Sequence, residues 1–251
     1  MDDDSLLEVF DRTVAAVRKA LGDVADRLAA GEREGQYALD LATDAPAVEV
    51  LTAAGLGVLS EESGRHHPER EITVVLDPVD GSTNASRGIP WYATSLCAVD
   101  ADGLRAAVVE NLATGERYHA VRGGGAFLDG RPIRPSSATR IADTIVITNG
   151  LEKRVWGYAQ ARIMGAAALD LCAVAQGMFD ALAGGWPLYA WDYLGGVLVC
   201  REAGVAVAEA DGHDLVQLDP ERRLLPFAAA TPELLAELLR IHEEQRGRPV
   251  A

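Results

Sequence analysis

Cysteine is scarce in this 251-residue chain: Cys97, Cys172 and Cys200 are odd in number, far apart and each set among apolar residues. That pattern speaks against a disulfide framework or a thiolate metal site and predicts buried thiols in a reducing compartment. Long hydrophobic runs are missing as well. No stretch approaches the ~20 apolar residues of a membrane span, so no membrane partner is expected. The opening MDDDSLLEVF has neither a basic n-region nor a small-residue cleavage site, and a cytoplasmic location is the expectation. Positive charge is in deficit, with 23 Lys and Arg against 38 Asp and Glu and a net charge of -15. Such a field repels DNA and RNA, whose binding depends on cations neutralising phosphates, so no nucleic-acid partner is expected. It repels a small phosphorylated molecule too, unless metal cations intervene. Low-complexity linkers and internal repeats are also lacking.

What is present is an ordinary globular composition, 49% hydrophobic and 24% charged, long enough for one large domain or two closely packed ones. Leu6, Phe10, Val14, Val17, Leu21, Val24 and Leu28 keep a helical period, with Ser5 and Glu8 as a capping-box pattern and Gly31 as the stop. Asp44, Pro46 and the apolar run to Gly55 predict a short capped helix. Residues 57–121 then read as β-rich: 58–60, 72–76, 92–99, 104–110 and 116–121, punctuated by Asp-Gly and Thr-Gly turns. RPIRPSSATR marks a boundary, dividing an N-terminal α+β half (1–135) from a C-terminal α/β half (136–251). Beyond it, 144–148, 205–208 and 224–230 predict strands, while 166–177, 191–203 and 232–245 predict helices. The alternation suggests a layered α/β fold.

Carboxylates recur where the backbone changes direction. Asp44 stands before a helix, Glu61 and Glu62 follow a strand, VVLDPVDGSTN carries Asp77 and Asp80, and Asp192 opens a helix. Singly, each has an ordinary reading: N-caps at Asp44 and Asp192, a solvated pair at Glu61 and Glu62, turn chemistry at Asp77 and Asp80. Together they suit a Mg²⁺ site, which takes oxygen ligands from element ends and completes its shell with water and phosphate. Pro78 fixes the backbone between the aspartates, so that both side chains and the Val79 carbonyl can face one point. An EF-hand fails, because from Asp77 the sixth position is Ser82 and the twelfth Gly88. The D-x-D-G-[ST] pattern of dehalogenase-like phosphatases is one residue shorter. In a strand that residue changes where the second Asp points. It remains the alternative.

The motifs together resemble the inositol monophosphatase family of Mg²⁺-dependent, lithium-sensitive phosphatases. The carriers are Ser60-Glu61-Glu62, Asp77 to Asn84, Trp191-Asp192 through Gly196, Glu202-Ala203-Gly204, and the segments GGGAFLDGRPI and GAAALDLCAVAQGMFDA, in family order over about residues 36–230. The resemblance implies a layered α-β-α-β-α sandwich, a homodimer, two or three Mg²⁺ ions per site and inhibition by Li⁺. It assigns Glu61, Asp77 and the Val79 carbonyl to one metal, and Asp77, Asp80 and Asp192 to a second. Ser82 would work with Asp44, beside Glu61, on the attacking water. Gly81, Ser82, Gly165, Ala166 and Ala167 would meet the phosphate. The charge conflict resolves in this reading, because metals rather than Lys or Arg face the substrate, and two ions can activate water and neutralise the leaving oxygen.

Two departures concern the pocket. LAGGWPL lacks the acid with which inositol phosphatases of the family grip sugar hydroxyls, and NGLEKRVWGYAQAR is short and basic, resembling members that also hydrolyse fructose 1,6-bisphosphate. Lys153, Arg154 and Arg162 are therefore expected to meet a second anionic group, with a solvated basic turn as the alternative. The expected activity is hydrolysis of a small phosphorylated metabolite by metal-activated water. Inositol phosphate, fructose 1,6-bisphosphate, histidinol phosphate and nucleoside 3′,5′-bisphosphate are the candidate substrates, and a catalytically silent binding protein is the competing class.

Overall fold

The N-terminal period forms α1 (Asp3–Asp23), with Leu6, Val9, Phe10, Val14, Val17 and Leu21 buried along one stripe. In the computed structural model, which describes residues 1–33, 35–151 and 156–245, this helix starts one turn before the expected capping box. The Asp2 side chain caps it by accepting from the Ser5 amide at 2.8 Å. It also ends early: the backbone leaves the helix at Val24, and Leu28 lies 57% exposed rather than on the buried stripe. α2 (Ala38–Ala53) begins six residues before the expected cap, so Asp44 and Pro46 lie inside it. Its buried face reads Asp40, Asp44, Ala47 and Leu51, spaced four, three and four. Two carboxylates thus sit on the apolar side of a helix.

α1 and α2 cover one face of an eight-stranded sheet in the order β2-β1-β3-β4-β5-β6-β7-β8. Its strands are β1 (Gly57–Ser60), β2 (Gly64–His66), β3 (Thr73–Asp80), β4 (Ala93–Asp100), β5 (Gly103–Asn111), β6 (Arg117–Val121), β7 (Gly125–Leu128) and β8 (Arg131–Pro132). β1 runs parallel to β3 and the other pairs are antiparallel. His66 lies in β2 and pairs with Val58 across the β1–β2 hairpin. Both faces are buried, which explains the continuous apolar runs. Val74, Leu76, Leu96, Ala98, Ala106 and Val108 point at α1 and α2, while Val75, Cys97, Val99, Ala107 and Val109 point the other way. A short helix, α3 (Ser82–Arg87), follows β3.

The opposite face of this sheet packs on α4 (Ala167–Ala175) and α5 (Ala190–Ala203), both buried almost all round. Behind them lies a five-stranded sheet, β10-β9-β11-β13-β12, made of β9 (Ile145–Ile147), β10 (Gln160–Arg162), β11 (Ala181–Leu182), β12 (Ala206–Glu209) and β13 (Pro226–Ala229). α6 (Pro232–Gln245) closes the far side over Phe227 and Ala229. The layers are therefore α-β-α-β-α, as expected. β10 and β11 were not visible in the sequence, being three and two residues long. All three cysteines are free and buried.

Candidate active site

The DPVDGST stretch is the last part of β3 and the turn after it. Asp77 pairs with Ser95 and Asp80 with Ala93, so three steps along β3 oppose two along β4. This bulge resets the alternation of the strand. Val79 falls into the core under α1 and α2, and its amide donates to Asp77 Oδ1 at 2.9 Å. Asp80 turns instead to the α4 side, where Oδ1 and Oδ2 accept from the Ala167 and Ala168 amides at 3.2 and 2.7 Å. One residue between the aspartates would leave this geometry out of reach.

Glu61 emerges at the end of β1, next to β3, and Asp192 lies in the first turn of α5. One carboxylate oxygen from each of Glu61, Asp77 and Asp192 lies within 4.8 Å of the others. Asp192 is not an N-cap. It is the third helical residue and accepts the Tyr189 amide at 2.8 Å. Burial first, and then the neighbouring charges, push Glu61 up to about 8 and Asp192 up to about 7. Burial and Glu61 hold Asp77 well above the usual carboxylate range, and burial does the same for Asp80. A cation among such crowded acids would offset the charges that raise their proton affinity. The donor set, hard oxygens only, fits a hard divalent ion.

Gly81 and Gly165 let the starts of α3 and α4 approach closely. Gly81 has φ 84°, and a Cβ there would lie 3.0 Å from both the Ala166 Cβ and the Gly165 carbonyl oxygen. The start of α3, with Gly81 and Ser82, thus abuts Gly165, Ala166 and Ala167 at the start of α4. Asn84 locks the contact by donating to the Trp91 and Met164 carbonyls, each at 2.7 Å.

Ser82 lies close to Asp40, whose carboxyl burial pushes up to about 6, and Asp44 accepts from the Ser60 hydroxyl. Asp40 and Ser60 were not singled out in the sequence. The signal for Asp40 was its place one helical turn before Asp44. Glu62 parts from Glu61 and is held by Arg33 and Gln36.

Lys153 and Arg154 lie outside the described residues. Arg162 is described, and its guanidinium folds back on the Ala161 carbonyl and Gln160 Oε1 at 2.8 and 2.7 Å. Gly184-Gly185, where an acid was missing, has a packing cause: both take positive φ, and a Cβ on Gly185 would overlap the Asn149 side chain. That side chain brackets the Trp186 backbone with two hydrogen bonds, 2.8 and 2.9 Å.

Buried carboxylates that need a cation, set beside a helix N-terminus that suits an oxyanion, mark the class of metal-dependent phosphate-ester hydrolases. The particular family is set by sequence: the description "Inositol monophosphatase family" matches residues 12–246, and the chain belongs to it. A protein of Archaeoglobus fulgidus, named fructose-1,6-bisphosphatase/inositol-1-monophosphatase, is 34% identical over 255 residues, covering 96% of this chain and 99% of that one. A Neisseria meningitidis protein, provisionally named Nus factor SuhB, is 34% identical over 201 residues, covering 73% and 74%. A solved structure from Pyrococcus horikoshii, described as a hypothetical protein with similarities to inositol-1 monophosphatase, superposes with a TM-score of 0.82. It is 26% identical and covers 94% of this chain and 96% of that one. Among the described residues no helix is long and apolar enough to cross a membrane.

Proposed function

We propose that the chain is a cytoplasmic, homodimeric Mg²⁺-dependent phosphomonoesterase that hydrolyses a small phosphorylated metabolite by direct attack of water. The observation that carries this reading is the convergence of Glu61, Asp77 and Asp192. These three would hold Mg²⁺, with Asp80 and the Val79 carbonyl beside them. When bound, the metal lowers the pKa of water and offsets charge on the phosphoryl and leaving oxygens. Amides at the start of α3, which lack intrahelical acceptors, are placed to bind phosphate oxygens, while the Ala167 and Ala168 amides of α4 are held by Asp80. Ser82, close to Asp40, and Asp44 on the same face of α2 as Asp40 are the groups available to orient the attacking water.

The names of the relatives make inositol 1-phosphate and fructose 1,6-bisphosphate the first substrates to test. The Nus-factor name belongs to the Neisseria protein. The charge of -15 supports a reading without nucleic acid for this chain. In the test, EDTA-stripped protein is offered each phosphate ester with and without Mg²⁺, in H₂¹⁸O, under single turnover. The reading expects Mg²⁺-dependent, Li⁺-sensitive phosphate release with one solvent oxygen in the product. Label first appearing in an Asp carboxylate points instead to a covalent phosphoenzyme, and no release despite Mg²⁺ binding points to a silent binding protein.

A further inference from the structure

Beside Asp192, two extended segments run against each other. Leu188 and Leu224 exchange both backbone hydrogen bonds, at 2.7 and 2.8 Å, and this antiparallel bridge sets Tyr189 across from Arg223. The guanidinium carbon of Arg223 stands 4.3 Å from the centre of the Tyr189 ring. The Trp191 ring stacks on Tyr189 at 4.8 Å and 25°. Two stacked partners occupy opposite faces of one ring, so the order is Arg223, Tyr189, Trp191. The stack is tied to the carboxylate cluster through the backbone, because Asp192 follows Trp191 and accepts the Tyr189 amide.

This guanidinium is exposed and enters no ion pair among the described residues. The buried indole N–H of Trp191 also has no partner among the described residues, so the stack keeps two unspent donors. Stacking on an aromatic face fixes a guanidinium while leaving its in-plane donors free for a bidentate anion. Arg162, by contrast, has folded its donors onto its own strand.

We propose that Arg223 is a specificity-determining residue whose guanidinium binds a second anionic group, phosphate or carboxylate, on the phosphomonoester. The proposal rests on the phosphatase reading above. It requires the scissile phosphate at the carboxylate cluster and the second anion toward Tyr189. Because Tyr189 already holds Arg223, little side-chain freedom remains to be lost on binding.

The test compares fructose 1,6-bisphosphate with fructose 1-phosphate, two esters that differ only in the second anion, on wild type, Arg223→Gln and Arg223→Lys. The wild type is expected to favour the bisphosphate. In Arg223→Gln its kcat/KM should fall ~10- to ~100-fold, the range of one lost charge-assisted contact, almost entirely through KM. Fructose 1-phosphate should change by less than about twofold, and the Lys variant should recover part of the loss. Equal losses on both esters, a loss in kcat alone, or no change overturns the proposal. Calorimetric binding of the two esters in Ca²⁺ repeats the comparison without turnover. A wild type that turns over neither ester defeats the phosphatase reading alone if Arg223→Gln still loses the binding preference. A wild type with no binding preference defeats the proposal.

Discussion

Gly196→Ala should destabilise this protein, although alanine is the better helix former. Gly195 and Gly196 lie on α5 where it is wedged between the first sheet and α4. A Cβ on Gly196 would stand 2.5 Å from the Leu171 Cβ, 2.8 Å from its Cδ1 and 3.0 Å from the Ala168 carbonyl oxygen. Carbon atoms rest about 3.5–4 Å apart, so the helices must separate by ~1 Å. Helix propensity favours alanine by ~1 kcal/mol, whereas overpacking a rigid core costs ~1–3 kcal/mol. Leu171 meets the new methyl through its backbone-fixed Cβ and cannot turn aside, so the upper end applies and the net loss is ~1–2 kcal/mol. For a chain of this size that lowers Tm by ~2–8 °C. The separation also parts Asp192, at the start of α5, from the amides of α4 that hold Asp80, so Mg²⁺ affinity should weaken. Gly22→Ala is the control: it lies in α1 with nothing within 4 Å of the added carbon, and it should raise Tm by ~2–4 °C through propensity alone. Thermal unfolding followed by circular dichroism, with and without Mg²⁺, reads both. An unchanged or raised Tm in Gly196→Ala refutes the packing argument.

Asp80→Asn should lower kcat by at least ~10²-fold while the protein stays folded, since it removes a carboxylate between the α4 amides and the cluster. Substantial residual turnover would remove Asp80 from the site. In EDTA, stability should fall as pH rises. Glu61 at about 8 and Asp192 at about 7 are raised above their ordinary values, so between pH 5 and 7 the native state holds protons that the unfolded chain has released. Linkage makes this ~1.4 kcal/mol per pH unit per fully shifted group, about half that with solvent access. Urea midpoints should decline from pH 5 to 8, and Mg²⁺ should restore them. A flat profile in EDTA contradicts the cluster electrostatics.

Much of the site could be read from the sequence because its residues are contiguous or repeat a local rule. The extra residue between Asp77 and Asp80 signals their shared direction, and the structure supplies the cause in the β3 bulge. α5, expected over 191–203 with Gly204 as its stop, and α6, expected as an amphipathic helix over 232–245, have their ends in place. The errors are of another kind. The apolar period of α1 runs on to Leu28, yet the chain turns at Val24 to reach α2, and periodicity cannot see a tertiary turn. Asp44 before Pro46 looked like a cap, but α2 is long enough to carry both inside, and that extension buries Asp40 beside Ser82. Ser60 against Asp44, Asn149 against Trp186 and Arg223 over Tyr189 are contacts between segments distant in sequence, and no local pattern announces them.

The central claim is that Glu61, Asp77 and Asp192 surround the divalent ion that hydrolysis requires. A crystal of EDTA-stripped protein soaked in Mn²⁺ tests it through the anomalous signal of the metal. The account expects a peak bounded by these three carboxylates, lost in Asp77→Asn together with turnover. A peak elsewhere, or hydrolysis at full rate with the cluster empty, contradicts it.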